Sequence, residues 1–325
     1  MSPRLLDLLL GATLLPLGVV AYLAATERGI AGVAGGRLAG MRPWLWLLPS
    51  FVLIGGILIY PLLKTVYLSF RGPDSSRFVG GDNYKAIFTD ASLVSVLKVN
   101  LLWLVVFPLG AVSLGLLTAV LLDRVRYERA AKAIITLPTA ISFVAASVMW
   151  RLVYTYNPPG TPQIGTLNAF LDALLPNFVP KAWLVDTHYN NYALIFVGIW
   201  MGTGLATLVL SAAIKGIPKD LVEAARIDGA NEWRVFKSVM LPELVPALAV
   251  VTTVSVIAAI KVFDIVYVMT GGNYNTDVIA TRMYAEQFSS GNTGLATAMA
   301  ILLLLAAMPV LLANRSAFRR EASEL

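Results

Sequence analysis

The sequence predicts an all-α protein that crosses a membrane several times, and three observations predict it. Of its 325 residues, 58% are apolar and only 14% are charged, against about 45–50% and about 25% in an ordinary soluble domain. The apolar residues gather in runs about as long as the roughly 20 residues that cross a hydrocarbon layer as a helix. The runs are continuous and not alternating, which fits helices that satisfy their own backbone groups and not the strands of a lipid-facing barrel.

Seven runs qualify, near residues 5 to 25, 44 to 70, 97 to 122, 133 to 155, 192 to 214, 245 to 270 and 293 to 313. The first follows a single Arg4 and resembles a signal peptide, but its apolar stretch is longer than the usual ~7–15 residues. It reads as a retained extra helix. Residues 1–40 are therefore that helix and its connection, and residues 41–325 a six-span core.

Residues 71 to 96 are polar, with Asp74, Asp82 and Asp90 offsetting the basic side chains, as suits an external loop. Residues 156 to 191 are rich in Pro, Asn and aromatics and are expected to hold one short helix around Leu167 to Leu175. Residues 215 to 244 make the long connection between the fifth and sixth runs. Within the runs, Pro61, Pro108, Pro138, Gly55 and Gly56 mark kinks or close packing. No repeat or soluble domain interrupts the pattern.

Basic residues orient a membrane chain because they concentrate in short cytoplasmic loops. One set of alternate loops holds Arg28, Arg37, Arg42, Arg124, Arg126, Arg129, Lys132, Lys215, Lys219, Arg226, Arg234, Lys237, Arg315, Arg319 and Arg320. The other holds fewer: Arg4, Arg71, Arg77, Lys85, Arg151, Lys181 and Arg282. The bias puts the N-terminus outside and the C-terminus in the cytoplasm, and it makes the net charge of +6 a matter of topology and not of nucleic-acid binding.

Several chemistries are excluded or unsupported. There is no cysteine, hence no disulfide, thiolate ligand or cysteine nucleophile. The single histidine, His188, sits in a Tyr- and Asn-rich stretch between runs, so no metal site or histidine-based triad is visible. No G-x-x-x-x-G-K-[ST] loop is present, so the chain has no phosphate-binding loop of that kind.

The most specific stretch is IPKDLVEAARIDGANEWRVFKSVMLPELVP, residues 217 to 246. Pro218 suits a first helical turn, and Asp220 and Glu223 place acids near a helix N-terminus, where the dipole favours them. Leu221, Ala224, Ala225 and Asp228 fall on neighbouring positions, giving one large apolar side chain flanked by small ones. Gly229 can end the helix with positive φ, and Asn231 can cap a second helix through Trp233, Phe236 and Val239. Pro242 and Pro246 mark the return to the membrane. A docking elbow and a solvated loop with a Glu223–Arg226 pair are both open on these residues alone.

The stretch also resembles the E-A-A-x3-G-x9-I-x-L-P signature of binding-protein-dependent ABC importer permeases. Glu223, Ala224, Ala225, Gly229, Leu241 and Pro242 stand at its spacing, with Val239 in place of Ile. Phe78 through Tyr84 resembles an F-x-G-x-x-N-Y run, and Leu137, Pro138, Trp150, Arg151, Leu152 and Tyr154 a second block. Residues 263 to 272, FDIVYVMTGG, resemble the end of the penultimate span, followed by Tyr284, Phe288, Gly294 and Ala296. After Gly271 and Gly272 this chain has Asn273 and Tyr274 where members usually have proline.

The resemblance, to the carbohydrate branch with its maltose and α-glucoside permeases, implies a type I ABC importer permease core. It implies that Glu223, Ala224, Ala225, Asp228 and Gly229 couple the chain to an ATPase, with Glu223 meeting a basic residue. It implies two cytoplasmic ATPase subunits that bind ATP and Mg, a second homologous permease, an external sugar-binding protein and a cell inner membrane location. No cofactor is implied for this chain.

A sugar path needs hydroxyl and amide partners beside aromatic surface. Asn100, Thr203 and Thr207 are candidates within runs, with Trp200 and Tyr267 available to stack, although small polar residues also serve helix packing. Lys261 and Asp264, three apart in an apolar run, are expected to pair and face protein or water, because a lone charge at the bilayer centre costs about 2.5–3.5 kcal/mol. They either line the path or form a structural pair. The alternatives are the same machine for a polyol, glycerol phosphate or peptide, or a self-sufficient secondary transporter, whose repeats and interrupted helices are not evident. An intramembrane enzyme would need a nucleophile or metal constellation, and none is seen.

Overall fold

The computed structural model describes residues 17–27, 42–123 and 125–322. Residues 5–16 of the first run, together with Arg4, Arg28, Arg37 and Arg124, lie outside the described residues, as do the side chains of Arg42, Arg315, Arg319 and Arg320. The chain divides into two units, one through Tyr67 and one from Leu68.

In the first unit, α1 (Leu17–Glu27) and α2 (Pro43–Ser69) follow the first two runs. The Tyr22 hydroxyl donates to the Leu45 carbonyl at 3.1 Å. At Ile54–Ile59, α2 widens into a π-turn, the local adjustment by which a helix absorbs a weak stretch, here around Gly55 and Gly56.

The second unit takes in the last residues of α2 and continues through a short helix, α3 (Asp82–Thr89), to α4 (Ala91–Leu122). Asp90 starts α4 by accepting the backbone N–H of Ser92 and Leu93, two donors that a helix N-terminus leaves unsatisfied. The partner of α4 is α8 (Asn190–Gly216). Small residues let these two backbones approach, the usual packing device where lipid offers no hydrophobic drive between helices. A methyl group added to Gly115 would lie 2.3 Å from Ala206 Cβ. Beside that contact the hydroxyls of Thr118 and Thr207 meet at 2.6 Å.

Two of the expected spans are broken. The run 133 to 155 forms α5 (Glu128–Thr136), a 3-10 turn (Leu137–Ala140) and α6 (Phe143–Val153), with a bend of 100° across the break. Pro138 lacks the N–H an α-helix would use there. Ser142 is extended and its Oγ accepts the Ala145 N–H at 3.1 Å, which starts α6 afresh. The run 245 to 270 forms α11 (Val245–Ile260) and α12 (Asp264–Met269), separated at residues 261–263. Between these lie α7 (Thr166–Leu174), the short helix expected near Leu167, and two helices of the 215–244 connection, α9 (Lys219–Ile227) and α10 (Glu232–Glu243). The last elements are α13 (Ile279–Phe288) and α14 (Thr293–Ala322).

Three buried clusters hold the second unit together. One joins Trp103 and Phe107 of α4 to Leu194 and Val197 of α8 and Val266 of α12. A second packs Ile87, Val96, Ile279 and Met299, and a third packs Ala119, Leu210, Leu244 and Val251 near the elbow. At the opposite end, Asn190 and Asn191 of α8 donate to the carbonyls of Tyr274 and Asn275 at 2.6 and 3.1 Å. That loop has positive φ at Gly271, Gly272, Tyr274 and Asn275. Beside it, burial pushes the Asp277 carboxyl up, against Thr281 and Arg282, which favour its charged form.

Candidate functional site

The connection between α8 and α11 folds as the helix, turn and second helix that its residues specify. Pro218 stands one residue ahead of α9, at the N-cap, and Asp220 occupies the first turn. The helix ends in a pair of bonds that use two of its last carbonyls: Ala230 N–H to Ala225 O and Gly229 N–H to Arg226 O, both 3.0 Å. That closure needs a left-handed residue, and Gly229 supplies it with φ +81°. Asn231 Oδ1 then accepts the Arg234 N–H at 2.9 Å and starts α10. Through Phe236–Met240, α10 is a π-turn, and it is anchored by buried Val235 and Leu244.

The Glu223–Arg226 pair does not form. Arg226 reaches across the turn to Glu232 instead, Nε to Oε1 at 3.0 Å and Nη2 to Oε2 at 3.4 Å. Among the described residues the Glu223 carboxylate makes no ion pair or hydrogen bond, and with Leu221, Ala224 and Asp228 this residue is exposed, while Ala225 is half-buried. Two further exposed apolar side chains join this end, Ile227 at 86% and Trp233 at 69%. Sequence reasoning used Trp233 only as a helix residue and passed over Ile227, although an isoleucine one residue before a helix cap has no place in the buried stripe. Behind α9 lies a cavity of about 620 Å³ lined by Asp123, Glu128, Lys215, Lys219, Glu223 and Arg226.

A second cavity, of about 430 Å³, opens at the break between α11 and α12. Trp103, Phe107, Phe143, Lys261, Phe263 and Asp264 contribute to its wall. The expected Lys261–Asp264 pair on one helix is absent. Lys261 caps the end of α11 and Asp264 opens α12, so the two stand on separate helices, and among the described residues neither has an ion-pair partner. Trp103 is buried, and its indole Nε1 has no hydrogen-bond partner among the described residues.

The remaining polar candidates divide by location. Asn100 is buried, and its Oδ1 accepts the Ile279 N–H at 2.8 Å. Thr207 is buried on Thr118 and also donates to the Thr203 carbonyl at 2.8 Å. Thr203 donates within its own helix, to Ile199 O at 2.7 Å. Trp200 is half-buried and edge-on to Trp150, with ring centroids 5.5 Å apart. Tyr267 is 46% exposed and stacks on Phe263 at 5.0 Å. The structure thus gathers Lys261 and Asp264 in one cavity with Tyr267 stacked beside it, and it separates them from the α4–α8 contact that Thr207 serves.

Residues 111–321 match the family described as binding-protein-dependent transport system inner membrane component. The osmoprotective compounds uptake permease protein GgtC of Synechocystis sp. is 49% identical over 277 residues, covering 85% of this chain and 99% of that protein. The alpha-glucoside transport system permease protein AglF of Rhizobium meliloti is 39% identical over 275 residues, covering 84% and 81%. A solved bacterial ABC transporter involved in the import of the acidic polysaccharide alginate superposes with a TM-score of 0.73 at 25% identity, over 86% of this chain and 96% of that one. The matched residues run from within α4 to within α14 and include the elbow and both broken spans, and on that extent of agreement the chain belongs to the binding-protein-dependent transport system inner membrane components.

Proposed function

We propose that this chain is the pore-forming permease subunit of an ATP-driven importer for a small carbohydrate, and that it performs no catalysis alone. The observation that carries the reading is the elbow, whose acidic Glu223 is left unpaired beside small and apolar residues on an exposed surface. An unpaired carboxylate there is suited to a basic residue of a docking partner. ATP and Mg would be bound by two cytoplasmic ATPase subunits, a second homologous permease would complete the pore, and an external sugar-binding protein would deliver the solute. The elbow then lies in the cytoplasm with the C-terminus, and the N-terminus and the loop at 270–278 lie outside.

In this reading, closure of the ATPases pushes on Glu223, Ala224, Ala225, Asp228 and Gly229. Because α10 is anchored at Val235 and Leu244, the push is transmitted to α11 and to the cavity at its far end. Rigid-body rearrangement of packed helices about such a lever is an ordinary means of switching access. The cavity provides the mixture that sugar binding uses, with polar groups at Lys261, Asp264 and Trp103 and aromatic walls. Asn100, Thr203, Thr207 and Trp200 lie outside it and support the helices that shape it.

Relatives named for alpha-glucoside and trehalose transport support the carbohydrate class. The relative named for osmoprotective compounds favours a second reading, in which the solute is a polyol-type osmolyte presenting the same hydroxyl groups. Co-purification tests the proposal. The chain should recover an ATPase and a second permease and should transport in liposomes only with both; transport by the chain alone would replace the importer with a secondary carrier.

A further inference from the structure

Beside the cavity at the α11–α12 break, three aromatic rings pack on one another and a fourth extends the cluster. Phe263, a wall residue of that cavity, stacks on Tyr267 with centroids 5.0 Å apart and planes at 15°. Tyr267 meets Tyr284 of α13 edge-on at 5.2 Å, and Tyr284 meets Phe288 at 4.8 Å. All three rings beyond Phe263 are exposed, Tyr267 at 46%, Tyr284 at 37% and the outermost, Phe288, at 71%. The cluster is a tertiary assembly, since Tyr267 of α12 and Tyr284 of α13 stand on either side of the loop at 270–278, which Asn190 and Asn191 hold in place.

We infer that Phe263, Tyr267, Tyr284 and Phe288 form a stacking strip for the ring faces of a carbohydrate on its way into the cavity. The inference rests on the importer reading above and extends it to a site outside the cavity. Lipid does not suit the near end of the strip, because Phe263 is flanked by Lys261 and Asp264, charged groups without ion-pair partners among the described residues. A bare charge facing hydrocarbon is costly, so this surface faces water. Aliphatic side chains would serve lipid or a packed helix equally well, whereas flat rings, two of them tyrosines with a hydroxyl, offer a sugar both an apolar face and a polar edge. Phe263 also lies 5.6 Å from Tyr284, so the Phe263–Tyr267 pair and Tyr284 form one cluster that Phe288 extends away from the cavity.

Uptake of labelled maltose, sucrose and trehalose by the full complex in liposomes tests this. Tyr284→Leu, which keeps apolar bulk but removes the flat ring, should lower maximal uptake on the order of three- to tenfold, as expected for loss of an aromatic contact. Tyr284→Trp should restore it, and both variants should assemble with their partners. Uptake unchanged in Tyr284→Leu, or not restored in Tyr284→Trp, overturns the strip and leaves the importer standing. No uptake of any of the three sugars by the unmodified complex overturns the carbohydrate reading and the strip with it. Phe288→Cys in this cysteine-free chain should react with a water-soluble maleimide in nanodiscs. No reaction in either the nucleotide-free or the ATP-bound complex would put the rings against lipid or the second permease and overturn the inference.

Discussion

Arg226 binds Glu232 across the turn at Gly229 through two contacts, at 3.0 and 3.4 Å, and so leaves Glu223 without the basic neighbour that its sequence offers three residues on. The elbow therefore presents a free carboxylate. Glu223→Ala should lower transport and ATPase association by roughly tenfold or more, the loss expected when one charge-assisted hydrogen bond of about 1.5–3 kcal/mol is removed. Pull-down of the ATPase with the purified permease pair measures it, and unchanged recovery would show that Glu223 meets nothing there.

Removing the internal pair should act differently. Both side chains are about half exposed, and such pairs contribute only about 0.2–1 kcal/mol. Arg226→Ala should thus leave unfolding temperature nearly unchanged. Its effect should be on coupling, because α9 loses its tie to α10, and ATP hydrolysis should continue with less transport per ATP. Equal falls in hydrolysis and uptake would argue against a lever.

Gly115 sits where α4 and α8 are closest. Gly115→Val must displace Ala206, whose Cβ lies 2.3 Å from the first added carbon, and overpacking of this kind costs about 1–3 kcal/mol. Thermal unfolding in detergent should shift down accordingly. Gly216→Ala, at a position with nothing within 4 Å of the added carbon, should be far milder.

The helical class and most spans were legible because long apolar runs admit few alternatives in lipid. The turn of the elbow was legible for a local reason: Gly229 and Asn231 specify caps through the backbone next to them, whereas the ion pair of Arg226 with Glu232 lies across that turn. The two breaks were harder to read. Pro138 marks a kink in the sequence, but the new start at Ser142 depends on an extended backbone that hydropathy does not register. The separation of Lys261 from Asp264 depends likewise on the geometry at residues 261–263. Asn100 and Thr207 show the same limit, since their partners Ile279 and Thr118 are distant in sequence and only the fold decides whether an amide or hydroxyl is already satisfied.

That separation yields a test of what the charges do. If Lys261 and Asp264 were a structural pair, each single neutralisation would strand the other, and exchanging the two residues would restore the contact. In the observed arrangement they face one cavity without touching, so each acts on its own surroundings. Lys261→Met and Asp264→Asn should each reduce uptake while the complex still assembles, and the exchange Lys261→Asp with Asp264→Lys should rescue neither. Uptake in liposomes decides the matter: recovery in the exchanged protein would mean that the two charges meet during transport, and the break at 261–263 would then have to close for part of the cycle.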